Sequence, residues 1–503
     1  MTGSALAWLR ARSDLLSPIL VKEVRQMVRG RDFAWAFAAS LLAGIAIAFM
    51  GAAQALGGNT TAGQGTFIWL LSCLAIVALA VIPMGAFSAL RNERMEQTLD
   101  LMMLTALSPR RVVVGKLLAQ AVKLTTLCAA IAPFLAMSFL IGGVDFVTIL
   151  LALGAVFVAS LWMSALGLFL STLMKSRAMS GIVYGGMALG VLLLLTASRS
   201  IYMMVTGFGR AFTPAAGPSW SWTLGLWLTF CIASMVNLVL LAENRLGLST
   251  ANRVTPVRVG FFIQFVLILA STILYASFSA AIRFDAVETL GIAAGLHLAL
   301  VAMFVLTEEV AVARPVQARV RASRWGHPAL AIFRPGAACG ALYVLAQMAL
   351  LLMAAWWLGA TAYEYRWLLA ICGYVCLFSG FPVLVLRATI PDWSTSLHLR
   401  TALLVTLALA LILPDVLHYL LWQPDVLSLT FGRRHLVNPL RAVANWPTVE
   451  TNAWLGGPLI LGIIGALSYL RIILTGRSAD RAETGGFEAT PARDEQTRAD
   501  LVG

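Results

Sequence analysis

The chain has 503 residues, of which 60% are hydrophobic and only 12% are charged. A soluble globular protein carries roughly 45–50% apolar and about 25% charged residues, so this composition excludes an ordinary soluble fold. The formal net charge of +13 would favour nucleic acid as a partner in a soluble protein, but Lys and Arg also flank membrane spans and meet anionic headgroups. We therefore predict an all-α polytopic integral membrane protein whose partner is the lipid bilayer and not nucleic acid.

The first predicted element is an amphipathic helix in the cytoplasmic N-terminal region 1–32. Ser17 and Pro18 suit the N-cap and the first helical position, because proline has no N–H to lose there. Apolar side chains recur at helical spacing from Leu20 to Val28, and basic or polar side chains line the opposite face. Such a helix lies in the headgroup plane before a span; the alternative is a solvated cytosolic helix. The residues expected at the membrane surface are Pro18, Lys22, Glu23, Arg25 and Arg29.

Long apolar stretches account for most of the remaining chain. Roughly 20 mainly apolar residues cross the hydrocarbon core as a helix, and by that measure the sequence predicts about 12 transmembrane helices. Basic residues concentrate in alternate loops, on the side that holds both termini, and the positive-inside rule makes that side the cytoplasm. The polar tail at 476–503 is expected to be disordered. The predicted spans cover residues 33–56, 66–90, 112–142, 146–174, 178–198, 220–242, 258–282, 287–306, 337–359, 366–386, 399–420 and 453–475.

The segment 91–116 is the most charged part of the first half, yet apolar runs flank it on both sides. As a helix over 93–107, it places Glu93, Glu96 and Asp100 on one face and methionine and leucine side chains on another. The sequence therefore predicts a short amphipathic helix at the membrane surface, between the second and third spans.

The predicted spans divide into a six-span core at 33–255 and an additional six-span membrane region at 256–475. The sequence HPALAIFRPG at 327–336 faintly echoes SPILVKEVRQ, but RATIPDWSTSLHLR at 387–400 contains nothing like the acidic helix of the first half. This comparison favours a core followed by divergent or appended spans over a tandem duplication.

Short motifs that carry catalysis are absent from the sequence. It contains no G-x-x-x-x-G-K-[ST] for nucleotide phosphates, no H-E-x-x-H and no G-x-S-x-G. The six cysteines lie inside or at the edge of apolar runs, without the C-x-x-C spacing of metal sites. We therefore expect a chain that is not an enzyme and has no catalytic residue, metal or cofactor of its own.

Three features, in this order, resemble the ABC-2 type permeases, which are membrane subunits of ABC transporters with the type V exporter architecture. They are SPILVKEVRQMVRGRDF before the first span, ERMEQTLDLMMLTALSPRRVVVGK after the second, and a six-span block with a longer loop between its last two spans. The resemblance covers about residues 15–255. The residues that fit the pattern of the second feature are Glu93, Arg94, Thr98, Leu99, Leu101, Pro109 and Lys116.

The resemblance implies that the helix at 93–107 is a coupling helix, which docks on a separate ABC ATP-binding subunit. That partner would bind ATP and Mg²⁺, and this chain would be the transport subunit, exporting an unidentified substrate across the bacterial inner (plasma) membrane. Because the simplest members have six spans and pair as dimers, the presence of a second permease stays open. The implied contact residues are Glu93, Arg94, Glu96, Thr98, Leu99, Asp100 and Met103.

Two other functions stay open at this point. The chain is alternatively a secondary transporter with a regulatory cytoplasmic helix, or a non-transporting membrane scaffold derived from a permease. An ion-coupled carrier normally shows buried carboxylates or broken helices at the membrane midplane in both halves. The sequence shows neither clearly, which disfavours a carrier.

Overall fold

The computed structural model describes residues 18–96, 108–142, 144–173, 219–246, 252–278, 283–308, 327–389 and 456–488, with a few single residues between these ranges. Within them, every regular element is a helix. The chain divides into two compact units, Met1–Leu248 and Ser249–Gly503, each with its own internal packing. This division lies close to the boundary between the two six-span regions expected from the sequence.

The first unit contains a short helix followed by long apolar ones. The short helix α1 begins at Pro18, as its proline predicts, and ends at Arg29. Ser108 caps α4 by accepting a hydrogen bond from the Arg111 N–H, and Pro109 is the first residue of that helix. The helices are α1 (Pro18–Arg29), α2 (Arg31–Leu56), α3 (Ala62–Met95), α4 (Pro109–Ile141), α5 (Phe146–Leu173) and α6 (Ser219–Leu246).

The second unit consists of long helices and one short 3₁₀ helix, Pro328–Phe333. The last two described helices, Ala362–Thr389 and Gly456–Glu488, approach each other closely. A Cβ atom on Gly465 would lie 2.5 Å from the Leu377 nitrogen, so this approach requires glycine. The helices are α7 (Thr255–Phe278), α8 (Arg283–Val305), α9 (Ala337–Trp357), α10 (Ala362–Thr389) and α11 (Gly456–Glu488).

Ten helices of the described residues are long and apolar enough to cross a membrane, which is the architecture of a multi-pass membrane protein. They coincide with ten of the twelve predicted spans. The other two predicted spans, near 178–198 and 399–420, fall outside the described residues apart from single positions. Large side chains such as Trp35 and Phe49 lie exposed on the outward faces, where lipid replaces water around them.

The core of the first unit lies between α3, α4 and α5. Leu70 and Leu74 of α3 are fully buried, as are Leu127 and Ile131 of α4, and each pair is one helical turn apart. Because the apolar side chains of these helices point both inward and outward, hydropathy alone does not distinguish the core face from the lipid face.

A π-helical turn interrupts α3 at Val77–Val81. The Ile82 N–H bonds to the Val77 carbonyl, and Pro83 has no N–H, so the Ala78 carbonyl has no donor within its own helix. Ser160 of α5 supplies one, with its hydroxyl 2.5 Å from the Ala78 oxygen. The irregular turn therefore depends both on Pro83 in α3 and on the Ser160 hydroxyl of α5.

Two helix ends differ from the sequence prediction. Helix α11 continues to Glu488, well into the tail that was expected to be disordered from residue 476. The apolar span supplies the costly helical nucleus, and Ala, Arg and Glu residues propagate it. Helix α3 likewise continues from the membrane to Met95, and so includes the start of the predicted 93–107 helix.

Candidate functional site

The middle of α1 meets the end of α3 and the first turns of α4 in a cluster of charged side chains. Lys116 lies in the second turn of α4 and is fully buried, although lysine is almost always exposed in folded proteins. Its Nζ donates a hydrogen bond of 2.6 Å to Oε1 of Glu23, which is also buried and belongs to α1. This contact joins the amphipathic helix to the third span.

Glu93, near the end of α3, completes the cluster. Its Oε2 lies 3.0 Å from the Lys116 Nζ, and its Oε1 accepts a 3.0 Å hydrogen bond from Lys22 of α1. The two lysines and two glutamates, Lys22, Glu23, Glu93 and Lys116, form what we call the ion cluster. The formal charges of the four side chains cancel, with Lys22 as the exposed member of the cluster.

The energetics of the ion cluster favour a fixed geometry. Moving a charge out of water costs several kcal/mol, and only close opposite charges and further hydrogen bonds offset that cost. Lys116 has both, since its ammonium lies near two carboxylates and 3.5 Å from the Ala89 carbonyl of α3. Separating the three helices at this point would therefore leave an uncompensated charge, which resists their movement as independent elements.

Arg94 extends these connections to a fourth helix. Its guanidinium donates a hydrogen bond to the carbonyl of Thr172, in the last turn of α5. The last four carbonyls of a helix have no partner within it, so an arginine from a neighbouring helix satisfies one of them. The end of α3 is therefore fixed to α1, α4 and α5 together.

The residues that face outward at this site lie directly after the ion cluster. Helix α3 ends at Met95, and Met95 and Glu96 are both exposed. Lys22 and Arg25 are exposed on α1. Of the other residues predicted for the site, Pro18 begins α1 and Arg29 ends it, while four lie outside the described residues: Thr98, Leu99, Asp100 and Met103.

The structure thus divides the predicted contact residues into two kinds. Glu93 and Arg94 bond within the first unit, whereas Glu96 is available to a partner. The sequence pattern predicts Glu23 in a basic helix and Lys116 after a surface helix, and no local spacing pairs the two residues. A local signal exists for Glu23, because it follows Leu20 by three residues and precedes Met27 by four, which places a carboxylate on the apolar face.

The second unit contains another buried charge, at Arg258 in the first turn of α7. The Arg258 side chain is fully buried and forms a two-pronged contact with Glu308, 3.3 Å from Nε to Oε1 and 2.6 Å from its terminal nitrogen to Oε2. Its other bonds run to the carbonyls of Ile332, Arg334 and Gly336. No local sequence pattern distinguishes this arginine, because its partners lie on distant segments.

Among the described residues, no three His, Cys, Asp or Glu side chains are grouped so as to hold a metal ion. Comparison with protein-family models, with curated proteins and with solved structures finds no match to this chain.

Proposed function

We propose that the chain is the permease subunit of an ATP-driven exporter in the bacterial inner membrane, with an ABC ATP-binding subunit docked on the segment 93–107. Both termini then lie in the cytoplasm, and ATP and Mg²⁺ bind to the partner. The substrate crosses through the membrane helices, and this chain supplies no catalytic residue.

The observation that carries the proposal is the burial of Lys116 between Glu23 and Glu93. A partner that pushes on one end of a span changes the transport pathway only if that end moves other spans with it. The ion cluster and Arg94 connect the exposed end of α3 to α1, α4 and α5. A push at Met95 and Glu96 would therefore be transmitted to several helices at once.

The charge of the exposed residues also fits a docking role. Glu96 is exposed and follows the end of α3 directly, which supports its pairing with a basic group of the ATP-binding subunit. Charges at the rim of an interface act mainly on the association rate and on orientation. The exposed Met95 supplies an apolar contact beside it.

Charge reversal at Glu96 tests the proposal. The tagged full chain would be co-expressed with an ABC ATP-binding subunit encoded beside its gene, and the purified complex assayed for composition and ATP hydrolysis. We expect the wild-type chain to retain the subunit, and Glu96→Arg to weaken its binding about tenfold, which corresponds to about 1.4 kcal/mol.

Glu288→Arg is the matched control, because Glu288 is also an exposed glutamate near a helix end but lies at the start of α8 and not in the proposed docking segment. This variant should retain the partner as the wild type does. The proposal is contradicted if no ATP-binding subunit copurifies with the wild-type chain, or if Glu96→Arg and Glu288→Arg retain it equally well.

A further inference from the structure

The two units have the same internal pattern of helix packing. In the first unit, α2 packs on α3 and α4, α3 on α4 and α5, α4 on α5 and α6, and α5 on α6. The second unit has the same pairs, with α7 to α11 in the places of α2 to α6. Helix α7 packs on α8 and α9, α8 on α9 and α10, α9 on α10 and α11, and α10 on α11. Helices adjacent in the chain often pack together in any helical protein. The pairs α2–α4, α3–α5 and α4–α6 skip one helix, and so they reflect how this fold is arranged.

The third helix of each pattern carries a matching pair of buried polar residues. Lys116 and Gln120 are one turn apart near the start of α4, and both are fully buried. Tyr343 and Gln347 are one turn apart near the start of α9, and both are fully buried as well. Long polar side chains are costly to bury in membrane helices, so their shared place in the two patterns supports a relation between the units.

A glutamate lies at the end of the second helix of each pattern, and it forms an ion pair with a buried basic side chain. In the first unit this is Glu93, held by Lys116. In the second unit it is Glu308, three residues after the end of α8, held by Arg258. The hydroxyl of Tyr343 donates to the Arg258 carbonyl, so the third helix takes part in both clusters.

The ends of the second and fourth helices are joined in both units by an arginine that donates to a terminal carbonyl. Arg94 of α3 donates to Thr172 at the end of α5. In the second unit the direction is reversed, since Arg387 of α10 donates to the carbonyls of Leu306 and Glu308 after α8. Different residues thus make the same connection, which explains why comparing the two sequences did not detect it.

We propose that the second unit is a structural repeat of the first, and that one chain supplies both membrane halves of the transporter and binds two ATP-binding subunits. The second docking surface then lies between α8 and α9, at the end that Glu308 and the Pro328–Phe333 helix share. This inference rests on the proposed function, because the second surface is assigned to the same kind of partner. It removes the need for a second permease chain.

The ratio of subunits in the purified complex tests this inference. Native mass spectrometry of the full chain, of 54.0 kDa, co-expressed with the ATP-binding subunit should give one permease chain to two ATP-binding subunits. Two chains with two subunits, or one chain with one subunit, overturn the repeat proposal and leave the proposed function standing. Absence of any ATP-binding subunit overturns both.

Cross-linking at a residue of the second unit tests the second surface itself. His327 is exposed and directly precedes the Pro328–Phe333 helix, which the Arg258 bond to Ile332 connects to the buried cluster. With benzoylphenylalanine in place of His327, we expect ultraviolet light to link the chain to the ATP-binding subunit. A complex that cross-links from Glu96 but not from His327 contradicts the second surface and supports the first.

Discussion

Lys116 and Glu23 are 93 residues apart in the chain, yet the Lys116 Nζ and the Glu23 Oε1 lie 2.6 Å apart in a buried contact. The pair joins a helix with a basic, solvent-facing side to a membrane span. Glu93 adds the end of another span to the same ammonium group. This relationship makes α1 part of the first unit and not a separate appendage.

Replacing Lys116 by methionine should strongly destabilise the first unit. The methionine fills a similar volume but leaves Glu23 buried without its cation, and breaking a buried ion pair in this way costs about 3–5 kcal/mol. The measurement is the melting temperature of the purified chain in detergent. Adding Glu23→Gln should recover part of the loss, because it removes the unpaired charge; a double variant no more stable than Lys116→Met would contradict the pairing.

Replacing Ser160 by alanine should cost more than the same change one turn later. Ser160 supplies a hydrogen bond to the Ala78 carbonyl, and an unsatisfied buried carbonyl costs about 1–3 kcal/mol. Ser164 is equally buried, but its hydroxyl donates to the Ser160 carbonyl of its own helix. Ser164→Ala therefore removes a hydroxyl without depriving a neighbouring helix of a hydrogen-bond donor. Equal melting temperatures for the two variants would show that the π-helical turn does not depend on Ser160.

Arg258→Lys should destabilise the second unit by at least about 2 kcal/mol, although it preserves the charge. The lysine ammonium is a compact charge and does not hydrogen-bond to Glu308 and three carbonyls at the same time, as the guanidinium does. Arg471→Lys, at an exposed position of α11 in the same unit, is the control and should change the melting temperature little. A tolerated lysine at Arg258 would mean that the planar shape of the arginine is unimportant.

Asp145 gives a pH-dependent contribution outside the membrane spans. Burial alone raises the pKa of its carboxyl, but hydrogen bonds from the Thr148 hydroxyl and N–H outweigh it and lower the pKa below the ordinary 3.8. A lowered folded-state pKa means that its stabilisation is present above about pH 4 and is lost as the pH falls through that lower pKa.

Asp145 directly precedes α5, and its carboxylate accepts the Thr148 N–H of the first turn of that helix. Asp145→Asn should keep this acceptor and flatten the acid dependence of the melting temperature, whereas Asp145→Ala should cost about 1 kcal/mol at neutral pH. The thermal stability of the three proteins would be compared between neutral pH and pH 3. An unchanged acid dependence in Asp145→Asn would assign it to other carboxylates.

Local sequence signals predict the helices of this protein well. Length and hydropathy locate ten helices that are able to span a membrane, and Pro18 marks the start of α1. Both kinds of signal depend on residues near each other in the chain, where periodicity and capping operate. The extent of α11 was missed because a polar sequence can continue a helix that an apolar span has begun.

The side-chain contacts of the site depend on distant segments, so periodicity does not reveal them. Glu93 has an acidic, surface-like sequence context, yet its carboxylate is held by two lysines from two other helices. Arg258 looks like an ordinary basic residue at the start of a span, but the fold surrounds it with Glu308 and terminal carbonyls. A charge on an apolar face, as at Glu23, is the one such signal present in the sequence.

Photo-cross-linking from Glu96 tests the central claim most directly, namely that an ATP-binding subunit docks at the end of α3. The full chain, with benzoylphenylalanine in place of Glu96, would be irradiated in membranes that contain the co-expressed ATP-binding subunit. The same substitution at the exposed Glu288 serves as the control. We predict a cross-link to the ATP-binding subunit from Glu96 and none from Glu288. Equal cross-linking from both positions, or none from either, would contradict the claim.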